Sequence, residues 1–530
     1  MKNQLIPFLF LLFGSFLEAK VELSKLFADK MILQRETLAP VWGWGNPGER
    51  VTVTSSWGES AFATTNAKGK WLLKIQTPAV TKEPQTLEIF GGNPMDSKIT
   101  LKDILVGDVW IASGQSNMEF RQHQSLNYEH EDLDYPNIRT FNLNLVASDI
   151  PQERISLNHS WIGSSKRDAH NFSAVALYFA RRIYKETGVP IGILSCSWGG
   201  KAIEKFIPAA GFGRFPELKE IRDLVAVIDP STSLGENAYA KSMEAFEVWL
   251  PIAKAAIAVG DYPLPAPKMP TMLGSWKTRE ATRIYNGMIH SLTPFAVKGA
   301  IWYQGEANMG NDIGLYPVKK RALIETWREL FSGGDFPFYF VQLAGFQKSK
   351  NDPEGGDGFA TMREAQLRCL EIQNTGMAVA VDIGNPYDIH PKNKQDVGFR
   401  LAQIALHRDY NKEIVRSGPL FESMEPRGHE LILSFQNVGK GLMAAKKSGL
   451  NTPVPQNSNQ LEHFAISASD QVWHWAEAKI VGNQVVVSAK EVQNPVAVRF
   501  AFTATPENFN FYNKDGLPAS PFKTDNWELR

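Results

Sequence analysis

Short segments that are apolar throughout their length follow one another from about residue 105, and segments with helical periodicity separate them. A strand with one solvent face alternates apolar and polar residues, so an uninterrupted apolar strand must be covered on both faces. Helices on both sides of a parallel sheet provide that cover. The middle of the chain is therefore predicted to be an α/β domain, with strands in VGDVWIASG, PIGILSCSWGG, AVKGAIWYQGE, FPFYFVQLAG and GMAVAVDIG.

The regions that flank this domain show a different pattern. Residues 20–104 and 411–530 alternate apolar with polar positions and contain frequent turn signals, which is typical of small β-sandwiches. Within the α/β region of residues 105–410, a helical and proline-rich stretch over about 208–281 interrupts the strand–helix rhythm. Such an insertion either shapes a substrate cleft or lies exposed on the surface.

Residues 1–19 have the pattern of a signal peptide, because one lysine precedes an apolar run and small residues follow it. The run is shorter than the roughly 20 residues that span a bilayer. We therefore expect a secreted or periplasmic protein, with no membrane association once the peptide is removed. Lys plus Arg and Asp plus Glu both number 56, and this balance argues against a nucleic-acid partner.

The segment DVWIASGQSNMEF places Ser116 on a tight turn between a strand and a helix. One interpretation is a capping box, in which Ser116 and Glu119 satisfy the first amides of the helix. The other is a hydrolase nucleophile, exposed on the turn beside a helix amino terminus that favours negative charge. The turn alone leaves both interpretations open.

Polar clusters follow four of the predicted strands, at the strand ends where open α/β folds bind ligands. They begin at Gly114, Ser197, Tyr303 and Asp382. A serine esterase needs a base, a carboxylate that orients the base, and donors for the oxyanion. The four clusters together contain residues of each kind.

The candidate base is His390, which precedes Pro391. Proline favours the first helical position, so His390 is expected on the loop before a helix. Asp388, two residues earlier, is near enough in the chain to orient the imidazole. Asp382 at the end of the strand is the alternative carboxylate.

Candidate oxyanion donors come from two of the clusters. The backbone amides of Gly199 and Gly200 follow a strand, and glycine lets such amides point outward. The side-chain amides of Gln304 and Asn308 are further donors, and Glu306 is placed to hold one of them.

Long segments of the chain resemble the sialate O-acetylesterase family within the SGNH hydrolases. The blocks concerned are GDVWIASGQSNM, NGMIHSLTPFAVKGAIWYQGEAN and DIGNPYDIHPKNKQDVGFRLA, and the likeness includes MILQRETLAPVWGWGNPGERVTV and the carboxyl-terminal β region. The resemblance implies a flavodoxin-like SGNH hydrolase domain that removes O-acetyl groups from carbohydrates through a serine triad. It implies no cofactor and no metal, and an acetylated glycan as the partner.

The resemblance also implies roles for individual residues. Ser116 would be the nucleophile, His390 the base and Asp388 its carboxylate. The oxyanion donors would be the Ser116 amide, a glycine amide of the SWGG segment and a side-chain amide, for which Gln304 is the first choice and Asn308 the second.

The substrate is less constrained, because GGKAIEKF departs from the family pattern at Lys201 and Phe206. Both positions are expected to border the acyl or sugar pocket. An acetylated plant or algal polysaccharide such as xylan or xyloglucan is the alternative substrate to a sialate, and Arg363 or Arg283 would read a carboxylate-bearing sugar. The candidates for substrate contact are Gln115, Lys201, Glu306 and Arg363.

Two other classes of function compete with an esterase. A carbohydrate-binding protein with a decayed active site would have lost triad members, whereas this chain contains all three. A metallohydrolase would use Asp382, Asp388, His390 and Glu306, but metal sites usually draw on more than one histidine and the chain has no His-x-His or His-Glu-x-x-His motif. No oligomeric state is predicted.

Overall fold

The computed structural model describes residues 21–92, 98–156, 160–271, 280–310 and 312–528. The predicted signal peptide, residues 1–19, lies outside the described residues. Among the described residues, none of the helices has the length and apolar character needed to cross a bilayer.

The amino-terminal region is β-rich. Its strands are β1 (Glu22–Leu23), β2 (Ile32–Gln34), β3 (Leu38–Trp44), β4 (Arg50–Ser55), β5 (Ser60–Thr64), β6 (Lys70–Gln76), β7 (Thr81–Phe90) and β8 (Ile99–Gly114). Strands β1, β3 and β6 form a three-stranded sheet, whereas β2 and β7 pair with β8. In β4 and β6 buried positions alternate with more exposed ones, as the sequence pattern predicts.

Strand β8 continues from the amino-terminal region into the central sheet. The other central strands are β9 (Tyr135–Asn142), β10 (Ile162–Ser164), β11 (Ile191–Ser197), β12 (Gly299–Tyr303), β13 (Phe338–Gln342) and β14 (Thr375–Val379). Their order is β10-β9-β11-β8-β12-β13-β14, and every neighbouring pair is parallel except β9 with β10. Every residue of β12, β13 and β14 is buried. The predicted α/β core on parallel strands is confirmed, within a sheet that is mixed overall.

The helices of the middle region are α1 (Ser116–Glu119), α2 (Ala174–Thr187), α3 (Ala209–Phe212), α4 (Lys219–Ala226), α5 (Ser233–Ala258), α6 (Tyr316–Leu330), α7 (Gly358–Arg368) and α8 (Lys394–Asp409). Helices α3, α4 and α5 lie in the predicted insertion. The 26-residue helix α5 buries only Gly235 and Ala253. Most of this helix is therefore surface.

The carboxyl-terminal region is β-rich, as predicted. Its strands are β15 (Leu420–Arg427), β16 (Glu430–Gln436), β17 (Leu442–Lys446), β18 (Val454–Pro455), β19 (Gln460–Leu461), β20 (Phe464–Ser467), β21 (Trp473–Trp475), β22 (Glu477–Val481), β23 (Gln484–Ser488), β24 (Ala497–Phe500), β25 (Phe511–Asn513) and β26 (Phe522–Lys523). They form sheets of five, three and four strands. Phenylalanine rings fill the space between them, with Phe421 and Phe522 stacked at 4.6 Å between centroids. The description of each flank as a β-sandwich stays a prediction.

Candidate active site

Three central strands end at the same level, and this alignment assembles the site. Gly114 at the end of β8 is the register partner of Ser197 in β11 and of Tyr303 in β12. Gly114 has φ of +135°, and a Cβ built there would lie 2.2 Å from the Tyr303 carbonyl oxygen. Only glycine fits this position. The predicted convergence of the three polar segments after these strands follows from this register.

The hydroxyl of Ser116 contacts a histidine and does not cap its helix. Ser116 Oγ lies 2.8 Å from His390 Nε2, which is hydrogen-bonding distance. Gln115 occupies the cap position of α1 and makes no side-chain cap bond in this described segment. Glu119 Oε2 accepts a 2.7 Å bond from the Gly199 amide. The capping-box interpretation of Ser116 and Glu119 is therefore wrong.

His390 lies on the loop between β14 and α8. Helix α8 begins at Lys394, because the Asn393 side chain accepts a bond from the Asp396 amide and caps the helix there. The helix start expected at Pro391 is wrong, although the loop position of His390 is as predicted. The imidazole stacks on Phe120 at 6.4 Å between ring centroids.

Asp388 is the carboxylate beside the base. Its Oδ1 lies 3.9 Å from His390 Nδ1 and accepts a 2.9 Å bond from the His390 amide. Asp382 faces elsewhere, since its two carboxylate oxygens accept bonds of 2.6 and 2.7 Å from Arg400. That ion pair is buried, so Asp382 is not available to orient the imidazole.

The environment keeps His390 in the neutral form that a general base requires. Burial lowers the pKa of His390, the positive charge of Lys394 lowers it further, and Asp388 opposes both effects. The net pKa lies below the ordinary value of 6.5. Nε2 can therefore accept the proton of Ser116 at neutral pH.

Two backbone amides at this turn are open candidates for the donation of hydrogen bonds to an oxyanion. Among the residues that the structure describes, neither the Ser116 nor the Gly200 amide donates to a protein acceptor. Gly200 has φ of +67°, a conformation that favours glycine. The amide of Gly199, the other candidate, is occupied by Glu119. Of the two predicted glycine donors, Gly200 is the one that remains.

Comparison with known proteins finds carbohydrate esterases. The family described as "Carbohydrate esterase, sialic acid-specific acetylesterase" matches residues 265–407. The sialate O-acetylesterases of Mus musculus and Homo sapiens are 29% and 28% identical, over 93% of this chain and 92% and 90% of theirs. The crystal structure of a carbohydrate acetylesterase from Xanthomonas citri is 32% identical, with a TM-score of 0.77, over 96% of this chain and 100% of that one.

The chain belongs to the carbohydrate acetylesterase family of the Xanthomonas citri enzyme. It is a carboxylic ester hydrolase of the carbohydrate acetylesterase type.

The esterase does not use Gln304 or Asn308 as the sequence suggests. Gln304 is fully buried, and its amide nitrogen donates to Asn308 Oδ1 at 2.6 Å and to the Lys201 carbonyl at 3.3 Å. The amide nitrogen of Asn308 donates to both carboxylate oxygens of Glu204. Both N–H groups of Gln304 are thus occupied, and the Asn308 amide is directed at the buried Glu204 carboxylate, so the structure does not support the predicted donor role of either side chain.

The predicted substrate contacts also divide into buried and accessible groups. Arg363 is fully buried in the esterase and donates to the backbone carbonyls of Ala344, Thr503 and Ala504, so its predicted substrate role is wrong. Arg283 forms an ion pair with Asp149 at 2.9 Å.

Gln115 and Glu306 support the loops around the serine. Gln115 Oε1 accepts a bond from the Ala307 amide at 3.1 Å, and Glu306 Oε1 accepts one from Asn117 at 2.6 Å. Neither is placed as a primary substrate contact.

Lys201 remains as an accessible substrate-contact candidate. Its Nζ lies 5.1 Å from the ring centroid of Trp198 and 3.6 Å from the Glu280 carboxylate. The Trp198 amide donates to the Gly114 carbonyl at 3.0 Å, which fixes this aromatic residue beside the nucleophile turn. Trp198 is absent from the predicted substrate contacts, although its position directly after β11, within the SWGG segment, was a usable signal.

The four residues of the metallohydrolase alternative do not converge. Asp382 is paired with Arg400, and Glu306 is bonded to Asn117. Among the described residues, no group of three or more histidine, cysteine, aspartate or glutamate side chains has the arrangement of a metal site. The geometry of these residues favours the serine mechanism.

Two polar cavities of the esterase adjoin the histidine loop. One, of about 420 Å³, is lined by residues that include Asp388, Pro391 and Lys447. The other, of about 740 Å³, lies against the carboxyl-terminal β region and shares Asp382, Gly384 and Lys447 with the first. The volumes are those of ordinary ligand sites, and the lining of the two cavities includes residues on either side of His390 but neither His390 nor Ser116.

A substitution of Gln304 tests the revised role of its amide. Gln304→Ala removes a buried group that bonds to Asn308 and to the Tyr316 hydroxyl, so we expect the free energy of unfolding to fall by about 1–3 kcal/mol. The rate constant kcat for an aryl acetate should fall much less than the roughly hundredfold loss of an oxyanion donor. Urea unfolding and steady-state kinetics on one preparation measure both. A hundredfold loss of kcat at unchanged stability would restore the oxyanion role.

Proposed function

We propose that this protein removes O-acetyl groups from carbohydrates through a Ser116–His390–Asp388 triad and an acetyl-serine intermediate. The observation that carries the proposal is the 2.8 Å contact between Ser116 Oγ and His390 Nε2. The lowered pKa of His390 and the open amides at Ser116 and Gly200 support it.

The reaction follows from these positions. His390 Nε2 takes the Ser116 proton while Oγ attacks the acetyl carbonyl carbon. The amides of Ser116 and Gly200 stabilise the negative oxygen of the tetrahedral intermediate. His390 then protonates the departing sugar oxygen, and the carbon–oxygen ester bond breaks.

The second half of the cycle regenerates the enzyme. A water molecule gives a proton to His390 and attacks the acetyl-Ser116 carbonyl, and acetate leaves as Oγ recovers its proton. Asp388 stabilises the imidazolium that forms twice in the cycle. Asp388 Oδ1 and His390 Nδ1 are 3.9 Å apart, and catalytic contacts that are long in the free enzyme commonly shorten when substrate binds.

Labelling tests the nucleophile directly. A serine-reactive phosphonate should abolish activity and add its mass to the peptide that contains Ser116, whereas a chelator should leave the activity unchanged. Ser113→Ala is a matched control, because Ser113 is a buried serine near the end of β8, three residues before Ser116, whose hydroxyl donates to the Cys196 carbonyl. Label on another residue, or activity lost only with the chelator, would contradict the proposal.

An O-acetylated sialate is the first candidate substrate, because two relatives are named sialate O-acetylesterases. An acetylated polysaccharide such as xylan or xyloglucan is the second candidate. The polar cavities beside Asp388 support it, because their volumes could hold further sugar units of such a chain. Acetate release from acetylated sialosides, xylan and xyloglucan oligosaccharides, compared at equal acetyl concentration, decides between them.

We also propose that the protein is exported, on the pattern of residues 1–19. Amino-terminal sequencing of the protein recovered outside the cytoplasm tests this. A mature chain that begins near residue 20 is expected, and an intact amino terminus on protein retained in the cytoplasm would contradict export.

A further inference from the structure

A buried polar cluster lies directly beneath the Ser116–His390 pair. It consists of Asn117, Lys394 and Glu306. Asn117 and Lys394 are buried, and the Glu306 Oε2 atom is buried without a hydrogen-bond partner among the described residues. The catalytic steps above use none of these side chains, so their burial needs another explanation.

Asn117 joins three segments of the site. Its amide nitrogen donates to Glu306 Oε1 at 2.6 Å and to the carbonyl of Ile389 at 3.0 Å. Its Oδ1 accepts a 2.6 Å bond from Lys394 Nζ. The side chain that follows the nucleophile in sequence is thus bonded to the loop after β12, to the histidine loop and to helix α8.

Lys394 completes the attachment of the base. Its Nζ also donates to the Pro391 carbonyl at 2.6 Å. The carbonyl before His390, that of Ile389, is held by Asn117, and the carbonyl after it, that of Pro391, is held by Lys394. The backbone on both sides of His390 is therefore fixed to the residue next to Ser116.

From this geometry we propose that Lys394 and Glu306 are positioning residues of the esterase. Through Asn117 they hold His390 against Ser116, and the Lys394 ammonium favours the neutral imidazole. The inference rests on the proposed function, because it assigns Ser116 and His390 as the reacting pair.

The charged and titratable groups around His390 support the proposed effect of the Lys394 charge on the imidazole. Asp388 faces His390 from its own loop and Lys394 faces it from α8, while Glu306 and the Tyr303 phenol face Lys394. Burial lowers the pKa of Lys394 to about 7, although Glu306 and Asp388 favour its charged form. Burial raises the pKa of Tyr303, which stays neutral. Lys394 is therefore a cation in the range below pH 6.5 in which His390 titrates.

Removal of the Lys394 cation is expected to change the pH dependence of kcat/KM in one direction. The acidic limb of the kcat/KM profile reports the pKa of the base in the free enzyme. A cation near the imidazole disfavours its protonated form, so removing that cation raises the pKa of His390. The acidic limb must then move to higher pH, and the enzyme loses activity on the acidic side.

The experiment compares two buried lysines. In Lys394→Met we expect the acidic limb for an aryl acetate to move up by about one pH unit. At the pH optimum kcat should fall roughly 10- to 100-fold with KM little changed, because the reacting groups are misplaced. Lys320→Met is the control, since Lys320 is fully buried on α6 with Nζ 3.7 Å from the Phe340 ring centroid. It should leave both the limb and kcat unchanged.

A second pair of variants tests positioning without changing Lys394. In Glu306→Gln the side-chain carbonyl can still accept the Asn117 bond, so most of kcat should be retained. In Glu306→Ala the bond is lost, and kcat should fall by about tenfold or more. This pair decides the matter if Lys394→Met does not fold, and a Glu306→Ala enzyme with the kcat and pH profile of the natural protein would overturn the inference.

The remaining outcomes separate this inference from the proposed function. A folded Lys394→Met enzyme with an unmoved acidic limb overturns the inference, as does an equal shift in Lys320→Met. If Ser116→Ala is inactive in that case, the triad stands and only the positioning role fails. If Ser116→Ala keeps its turnover, the proposed function fails and the positioning role fails with it.

Discussion

Ser116→Ala is expected to lower kcat for an acetyl ester by about four orders of magnitude or more, while the fold remains intact. In the proposed mechanism the hydroxyl oxygen attacks the acetyl carbonyl, and its contact with His390 Nε2 at 2.8 Å has no substitute in alanine. Removal of one triad member in serine hydrolases leaves a residual rate that comes from the oxyanion site and from binding. Steady-state kinetics with an aryl acetate measure this decrease in kcat, provided that activity is followed down to the uncatalysed rate.

The thermal midpoint of the same variant is the control. Ser116 makes no cap bond at the start of α1, so we expect the midpoint to stay within a few degrees of that of the natural protein. A lowered midpoint with near-normal kcat would return Ser116 to a structural role. It would also remove the basis of the proposed mechanism.

The two aspartates of the histidine loop should respond in opposite ways to the same chemical change. In Asp388→Asn we expect kcat to fall by roughly two to four orders of magnitude. The amide oxygen can still accept the His390 backbone bond, so the loop should keep its shape. Because the Asp388 side chain is 44% exposed, the free energy of unfolding should change little.

In Asp382→Asn the larger effect should be on stability. The substitution leaves Arg400 as a buried cation without its carboxylate, and loss of one partner of a buried pair costs about 3–5 kcal/mol. Urea unfolding and kinetics on both variants measure the contrast. A folded Asp382→Asn protein with normal stability and a greater loss of kcat than Asp388→Asn would reverse the assignment of the two residues.

The sequence predicts those parts of the site that depend on short stretches of the chain, such as the apolar strands and the turns at their ends. The strands β12, β13 and β14 are apolar throughout because both faces are covered, and this pattern is visible without any tertiary contact. The nearness of Ser116 and His390 follows from the rule that parallel strands end at one edge of the sheet. Asp388 was preferred to Asp382 because it is only two residues from His390 in sequence, and in the structure it also lies beside His390.

The wrong predictions concern side chains whose partners are far away in the sequence. The sequence predicts Gln304 as an oxyanion donor because nothing near it in the chain indicates another partner for its amide. In the structure that amide bonds to Lys201 and Tyr316, which are distant in sequence. Arg363 looked accessible, yet its guanidinium is buried against Thr503 and Ala504 of the carboxyl-terminal region. The direction of a polar side chain depends on such long-range partners, and the sequence pattern contains no information on them.

Strand β8 makes the amino-terminal region an integral part of the catalytic unit. Its first half pairs with β2 and β7, and its second half pairs with β11 and β12 before it reaches the nucleophile turn. A cut at residue 105 would divide this strand and expose unpaired backbone on the piece that carries Ser116. A fragment that keeps all of these pairings must begin before Ile32, so we expect that the amino-terminal sheet cannot be exchanged as a module in the way that a tethered binding domain can.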